Sequence, residues 1–224
     1  LTKFRKEDQN YVKVSFYSAY EWERLWQSAQ KAKASVFLEE YEQLSADNEK
    51  DKWVGHEEEQ FICETRDQLV KEISRWTSSK SAGHYFVKEV EVGLKDFDLP
   101  KGVVLVDTPG LDDVVQYSDI TRDYIDRANA VLVCVKSDAL TGPELKTIYS
   151  VFANTPNNRE KVYIIATQLD TLNDPVQNWK EQQKEWLKSL KGKGAYESLE
   201  LAEKNLIGVS AYLYTLLQNY SEMR

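Results

Sequence analysis

Hydrophobic residues along this chain follow two periods, and the period changes more than once. Residues 11–17, Tyr-Val-Lys-Val-Ser-Phe-Tyr, place Val12, Val14 and Phe16 on one face. Alternation of this kind predicts a strand with one buried side. From about residue 20 the spacing lengthens. Residues 21–44 carry Trp22, Leu25, Trp26 and Ala29 at intervals of three and four, which predicts a helix. Asp47-Asn48 and Val54-Gly55 interrupt the run. A second helix is predicted over 57–76, with Phe61, Thr65, Leu69, Ile73 and Trp76 on one face. Glu57-Glu58-Glu59 at its start suits the positive end of a helix dipole. The two helices are expected to form a hairpin inserted at about 20–82, with Trp22, Trp26, Trp53 and Trp76 as packed core.

Strand signals resume after the insertion, at 87–92, 103–106, 130–135, 162–166 and 206–209. The last four are short unbroken apolar runs, the pattern of strands buried on both faces of a parallel sheet. Helix-length segments separate or follow them, at about 116–128, 142–153, 175–190, 194–203 and from 211 onward. Strand alternating with helix predicts an α/β fold with a doubly wound, mostly parallel sheet and flanking helices.

In such a sheet, ligands bind beyond the carboxyl ends of the strands. Three of the predicted strands end in residues with suitable chemistry. The run 103–106 leads straight into Asp107-Thr108-Pro109-Gly110. A carboxylate there can hold Mg²⁺ through one of its waters, because Mg²⁺ gives up hydration reluctantly. A glycine three residues later lets the backbone approach a phosphate with no Cβ in the way. Leu111-Asp112-Asp113-Val114 would then open a segment that responds to a terminal phosphate. Asp112 and Asp113 themselves read as a solvated turn.

The run 162–166 ends in Thr167-Gln168-Leu169-Asp170. An Asp at a strand end can accept hydrogen bonds from N1–H and the 2-amino group of guanine. Adenine lacks that donor pair, and unpaired buried groups are what reject the wrong base. The run 206–209 ends in Ser210-Ala211, where a backbone N–H can meet the guanine O6. Ser-Ala means little alone; the order of the three motifs, each after its own strand, makes the set specific.

With these motifs the sequence resembles the P-loop GTPases, and most of all the bacterial dynamin-like members of the dynamin superfamily. The stretch from Leu99-Pro100-Lys101-Gly102 through Asp107-Thr108-Pro109-Gly110-Leu111 is similar to the third GTPase motif and its strand. Thr167-Gln168-Leu169-Asp170 is similar to the fourth motif, and Ser210-Ala211 stands in the place of the fifth. The resemblance implies a GTPase (G) domain over residues 1–224, binding GTP and GDP with Mg²⁺. Asp107 would hold the metal through water, with Thr108, Pro109 and Gly110 at the phosphate side. Thr167, Gln168, Asp170, Ser210 and Ala211 would read the base. It further implies self-association through the G domain and work on membranes by regions outside this chain.

Two departures bear on activity. No GxxxxGK[ST] phosphate-binding loop occurs in the sequence. That loop and the switch threonine are expected upstream, with Thr2 the one candidate inside the chain, so a partial domain is expected. The fourth motif usually has Lys where Gln168 stands, and the loss of that charge bears on tightness of binding more than on base preference. No residue presents itself as a general base. The alternative reading is a GTPase-shaped module that does not hydrolyse and serves only assembly.

Composition narrows the field further. A net charge of −8 over 224 residues argues against a nucleic-acid partner, and so against a GTPase of the ribosome-assembly type. No apolar run approaches the length needed to span a bilayer, and a cytoplasmic location is expected. Cys63 and Cys134 fit no metal-binding spacing, and Cys134, inside Val-Leu-Val-Cys-Val, is expected to be a buried, inert thiol. His56 and His84 are expected to be surface or capping residues.

Overall fold

The period-two segment forms a strand with Val12, Val14 and Phe16 all buried. A computed structural model of the protein describes residues 1–108, 124–155, 158–192 and 194–222. The chain divides into two units, Leu1–Thr121 and Arg122–Arg224.

The first unit holds strands β1 (Thr2–Lys6), β2 (Tyr11–Phe16), β3 (Glu59–Ile62), β4 (Val87–Leu94) and β5 (Val104–Asp107), in the order β3-β2-β4-β1-β5. β1 runs parallel to β4 and antiparallel to β5, and β2 runs antiparallel to β3 and β4. Val90 and Val92 of β4 join the buried side of β2. Helices α1 (Ala19–Lys31) and α4 (Arg66–Thr77) add Trp22, Leu25, Ala29, Leu69 and Trp76 to the same core. Aromatic rings dominate it: Trp76 meets Phe16 and Trp53 edge-on at 5.5 and 5.0 Å, and Trp22 lies 4.8 Å from Phe86. His84 is half-buried at its edge, and burial lowers its pKa. His56 is exposed and bonded to Glu59 at 2.8 Å.

The inserted region is richer than a hairpin. Lys33 adopts a left-handed backbone, φ 50°, and this ends α1 and separates it from α2 (Ser35–Gln43). A short α3 (Lys50–Trp53) follows. The predicted second helix begins as a strand instead: β3 pairs with β2 across Tyr11–Val14. Helix geometry starts only at Arg66, where Thr65 and Gln68 form a capping box.

The second unit is a parallel sheet β6 (Val131–Lys136), β7 (Val162–Thr167), β8 (Leu206–Gly208), in that order. With it come α5 (Gly142–Ala153), α6 (Pro175–Gly192), α7 (Leu199–Asn205) and α8 (Ala211–Glu222). Strand residues Val133, Val135, Ile164, Ala166 and Leu206 are buried together with Ile148, Phe152, Trp186 and Leu190 of the helices. The α/β architecture is the expected one. Neither face of β5 is buried among the described residues, however, and burial of β6 is one-sided, against the two-sided burial expected of both. Val104 and Leu105 are each 39% exposed and Leu132 is 54% exposed. Cys134 is also exposed, a correction to the buried thiol expected from its apolar run. The cause is the pleat: Val133 and Val135 take the covered face of β6, and the residues between them face the other way. The helix predicted at 116–128 falls mostly outside the described residues. No helix among them is long and apolar enough to cross a membrane.

Candidate guanine-nucleotide site

The turn after β7 is built by the sheet before any side chain acts. Ser137 N–H, just past β6, donates to the Thr167 carbonyl at 2.9 Å. Val209 N–H, just past β8, donates to the Ala166 carbonyl at 2.8 Å, and Leu169 N–H donates back to the Val209 carbonyl at 3.3 Å. The carboxyl ends of three adjacent parallel strands are therefore tied together. Thr167 lies in the last position of β7, and its hydroxyl donates to the Val135 carbonyl at 3.1 Å. Gln168 is exposed and takes a left-handed backbone, φ 59° and ψ 37°. Leu169–Thr171 then form a single tight turn that carries Asp170.

Ser210 donates its hydroxyl to Asp170 Oδ1, across 40 residues of chain. The Ser210 hydroxyl oxygen accepts in turn from Leu213 N–H at 3.1 Å, so Ser210 also caps α8, which begins at Ala211. Thr167, Gln168, Asp170, Ser210 and Ala211 thus share one end of the second unit. Each carboxylate oxygen has two lone pairs, so the Ser210 bond orients Asp170 without saturating it.

Asp107 ends β5 in the first unit, exposed, opposite Thr2 in the β1 register. Thr2 is buried. Thr108 follows at the strand end, half-buried, whereas Pro109 and Gly110 lie outside the described residues, as do Asp112 and Asp113. No group of three or more metal-binding side chains occurs among the described residues. Mg²⁺ that keeps its waters and leans on phosphate oxygens needs no such cage, so a single exposed carboxylate at a strand end fits it.

Sequence reasoning passed over Ser137, Thr171 and Trp179. Ser137 hydroxyl donates to the Gln168 carbonyl at 3.2 Å, and Thr171 hydroxyl donates to it at 2.8 Å. The place of Ser137, one residue past an apolar strand, was the available signal. Trp179 and Leu169 fill the space beside Gly208, where a Cβ would come within 2.9 and 2.8 Å of them.

Comparison with known proteins matches the model of the Dynamin family to residues 13–149. Two solved structures, each described as an oligomerised bacterial dynamin pair that senses and tethers membranes over long range, superpose with TM-scores of 0.66 and 0.64. Both are 21% identical in sequence and cover 94% of this chain. The chain spans only about a third, 33% and 34%, of those two chains. No curated protein matches.

Proposed function

The chain belongs to the dynamin family, and from that premise we propose that it binds guanine nucleotide and, in the protein as its gene encodes it, hydrolyses GTP to GDP and phosphate. The observation that carries this reading is the Asp170–Ser210 pair. A carboxylate at the end of one parallel strand is held by a hydroxyl from the end of the next.

Asp170 accepts from the guanine N1–H and 2-amino group, and Ser210 keeps its plane turned toward them. The backbone N–H of Ala211, in the first turn of α8, offers a donor to O6. Gln168, exposed beside them, lays its aliphatic stem along the base. In the first unit taken by itself, Asp107 and Thr108 carry the chemistry to hold Mg²⁺ through a water and to meet phosphate, and the expected phosphate-side residues Pro109 and Gly110 lie outside the described residues. When bound, the metal neutralises charge on the phosphate oxygens. The dynamin structures that the chain resembles support a further reading for the whole protein: nucleotide-dependent self-association and action on a membrane.

The test is calorimetric titration of GTP, GDP and ATP with Mg²⁺ into the protein as its gene encodes it. Guanine-selective binding is expected, and Asp170→Ala should weaken it by about a hundredfold, the worth of two hydrogen bonds to a charged group. Equal affinity for ATP, or full affinity in the variant, would overturn the assignment. Gln168 in place of the usual lysine favours a second reading, a GTPase-shaped module that serves assembly and does not hydrolyse GTP. Phosphate release measured on the same protein separates the two.

A further inference from the structure

The geometry points to Ser137 as a positioning residue for guanine recognition, a role that rests on the reading of Asp170 given above. Gln168 holds a left-handed backbone that a residue with a Cβ adopts reluctantly, and such residues persist where their surroundings hold them. Here the hold is on the Gln168 carbonyl. It accepts from Thr171 N–H at 3.0 Å, from Thr171 hydroxyl at 2.8 Å and from Ser137 hydroxyl at 3.2 Å. The two bonds from Thr171 are local to the turn and move with it. The Ser137 bond is the one of the three that comes from another strand's end, 31 residues away in the chain.

Ser137 is also fully buried, one of few polar residues so placed among those described. A buried hydroxyl is kept where its hydrogen bond has a task. Its own N–H is fixed to the Thr167 carbonyl at 2.9 Å, so both of its donors act on successive carbonyls of the base-reading turn. Ser137 therefore sets the direction in which the chain leaves β7, and with it the direction of Asp170 two residues later. It touches no ligand and works through the turn.

The experiment compares GDP with inosine diphosphate, which lacks the 2-amino group, on the protein as its gene encodes it. Calorimetry with Mg²⁺ is run on wild type, Ser137→Ala, Ser137→Cys and Asp170→Ala, with melting temperature recorded for each. Wild type should prefer GDP, and Asp170→Ala should abolish the preference. If either result is absent, the guanine reading itself has failed, and this role falls with it. Given both, Ser137→Ala should weaken GDP by about fivefold, one hydrogen bond's worth, and inosine diphosphate by less, so the ratio of the two affinities drops. A lower melting temperature with an unchanged ratio would make Ser137 a structural residue only and overturn the proposal. Should Ser137→Ala fail to fold, Ser137→Cys decides. A thiol nearly matches the hydroxyl in size but is a weak donor, so a fall in the ratio is expected and an unchanged ratio overturns the role.

Discussion

Replacing Gly208 with Ala tests whether the turn after β7, which we propose reads the base, is held by packing as well as by hydrogen bonds. A Cβ on Gly208 would lie 2.8 Å from Leu169 Cδ1 and 2.9 Å from Trp179 Cε2 and Nε1. Those separations are well inside contact distance, so something must move. The Leu169 methyl is the end of a flexible side chain and can yield part of the way. The Trp179 ring has less room, since it meets Trp186 edge-on at 5.6 Å, and Trp186 is 1% exposed with its Nε1–H donating to the Asp138 carbonyl at 3.1 Å. Overpacking of this kind destabilises by about 1–3 kcal/mol. Removing a glycine from the unfolded chain returns about 0.4–1 kcal/mol. The net loss is then about 1–2 kcal/mol, or a urea midpoint lower by roughly 0.5–1 M for a slope near 2 kcal/mol/M. Urea unfolding followed by tryptophan fluorescence measures it. Leu169 sits between Gln168 and Asp170, so GDP affinity should fall in the same variant. Gly142→Ala is the control, because a Cβ there meets nothing within 4 Å. An unchanged midpoint in Gly208→Ala, or an equal shift in the control, refutes the packing argument.

Two further predictions concern the first unit. Glu21 is held at about 2, first by the Lys88 ammonium at 2.6 Å and then by Ser18 N–H at 3.0 Å. Because its folded value lies below the ordinary 4.5, its contribution is present above about pH 4.5 and is lost as pH falls toward 2. The pair is partly exposed, so Glu21→Gln should lower stability by less than about 1 kcal/mol near neutral pH. That deficit should vanish by pH 2 in acid-unfolding curves, and a deficit that does not change with pH contradicts the linkage. Trp76 and Trp53 are both buried, yet Trp53 Nε1–H donates to Glu49 at 2.8 Å while Trp76 Nε1–H has no partner among the described residues. Trp53→Phe should therefore destabilise by about 1 kcal/mol more than Trp76→Phe in chemical denaturation, and the reverse order would refute this.

What the sequence made legible follows from where its signals are local. The second unit reads well because Gly142-Pro143-Glu144 marks a helix start and the apolar runs of β6, β7 and β8 are unambiguous. β1 was not legible, since Thr-Lys-Phe-Arg-Lys has too few apolar residues to show a period. Its partner lies far along the chain: Lys3 pairs with Glu89 at 2.7 Å and Arg5 with Glu91 at 2.8 Å, so alternating charges on β1 answer alternating charges on β4. β3 was hidden for the same reason. Glu-Gln-Phe-Ile suits a helix as well as a strand, and only the open edge of β2 decides it. At the strand ends of the second unit, the residues of the proposed site stand out by type, whereas the Ser137 and Thr171 bonds to the Gln168 carbonyl depend on a left-handed turn that no spacing reveals.

The site thus divides its work between backbone and side chains. Register alone brings the ends of β6, β7 and β8 together, with Lys136 opposite Thr167 and Ala166 opposite Gly208. Backbone bonds from Ser137, Val209 and Leu169 then close the turn without any contribution from Asp170. Asp170 is half-buried, and its one described partner is the Ser210 hydroxyl, which also caps α8 and keeps that bond to Leu213 N–H if the carboxylate is removed. On the proposed reading, loss of the Asp170 side chain should therefore change base selectivity far more than how firmly the turn is built. Gly208, with no functional group at all, governs firmness through Trp179 and Leu169. A residue's place in the hydrogen-bonded ladder, more than its chemical type, decides whether its substitution shows first in stability or in base selectivity.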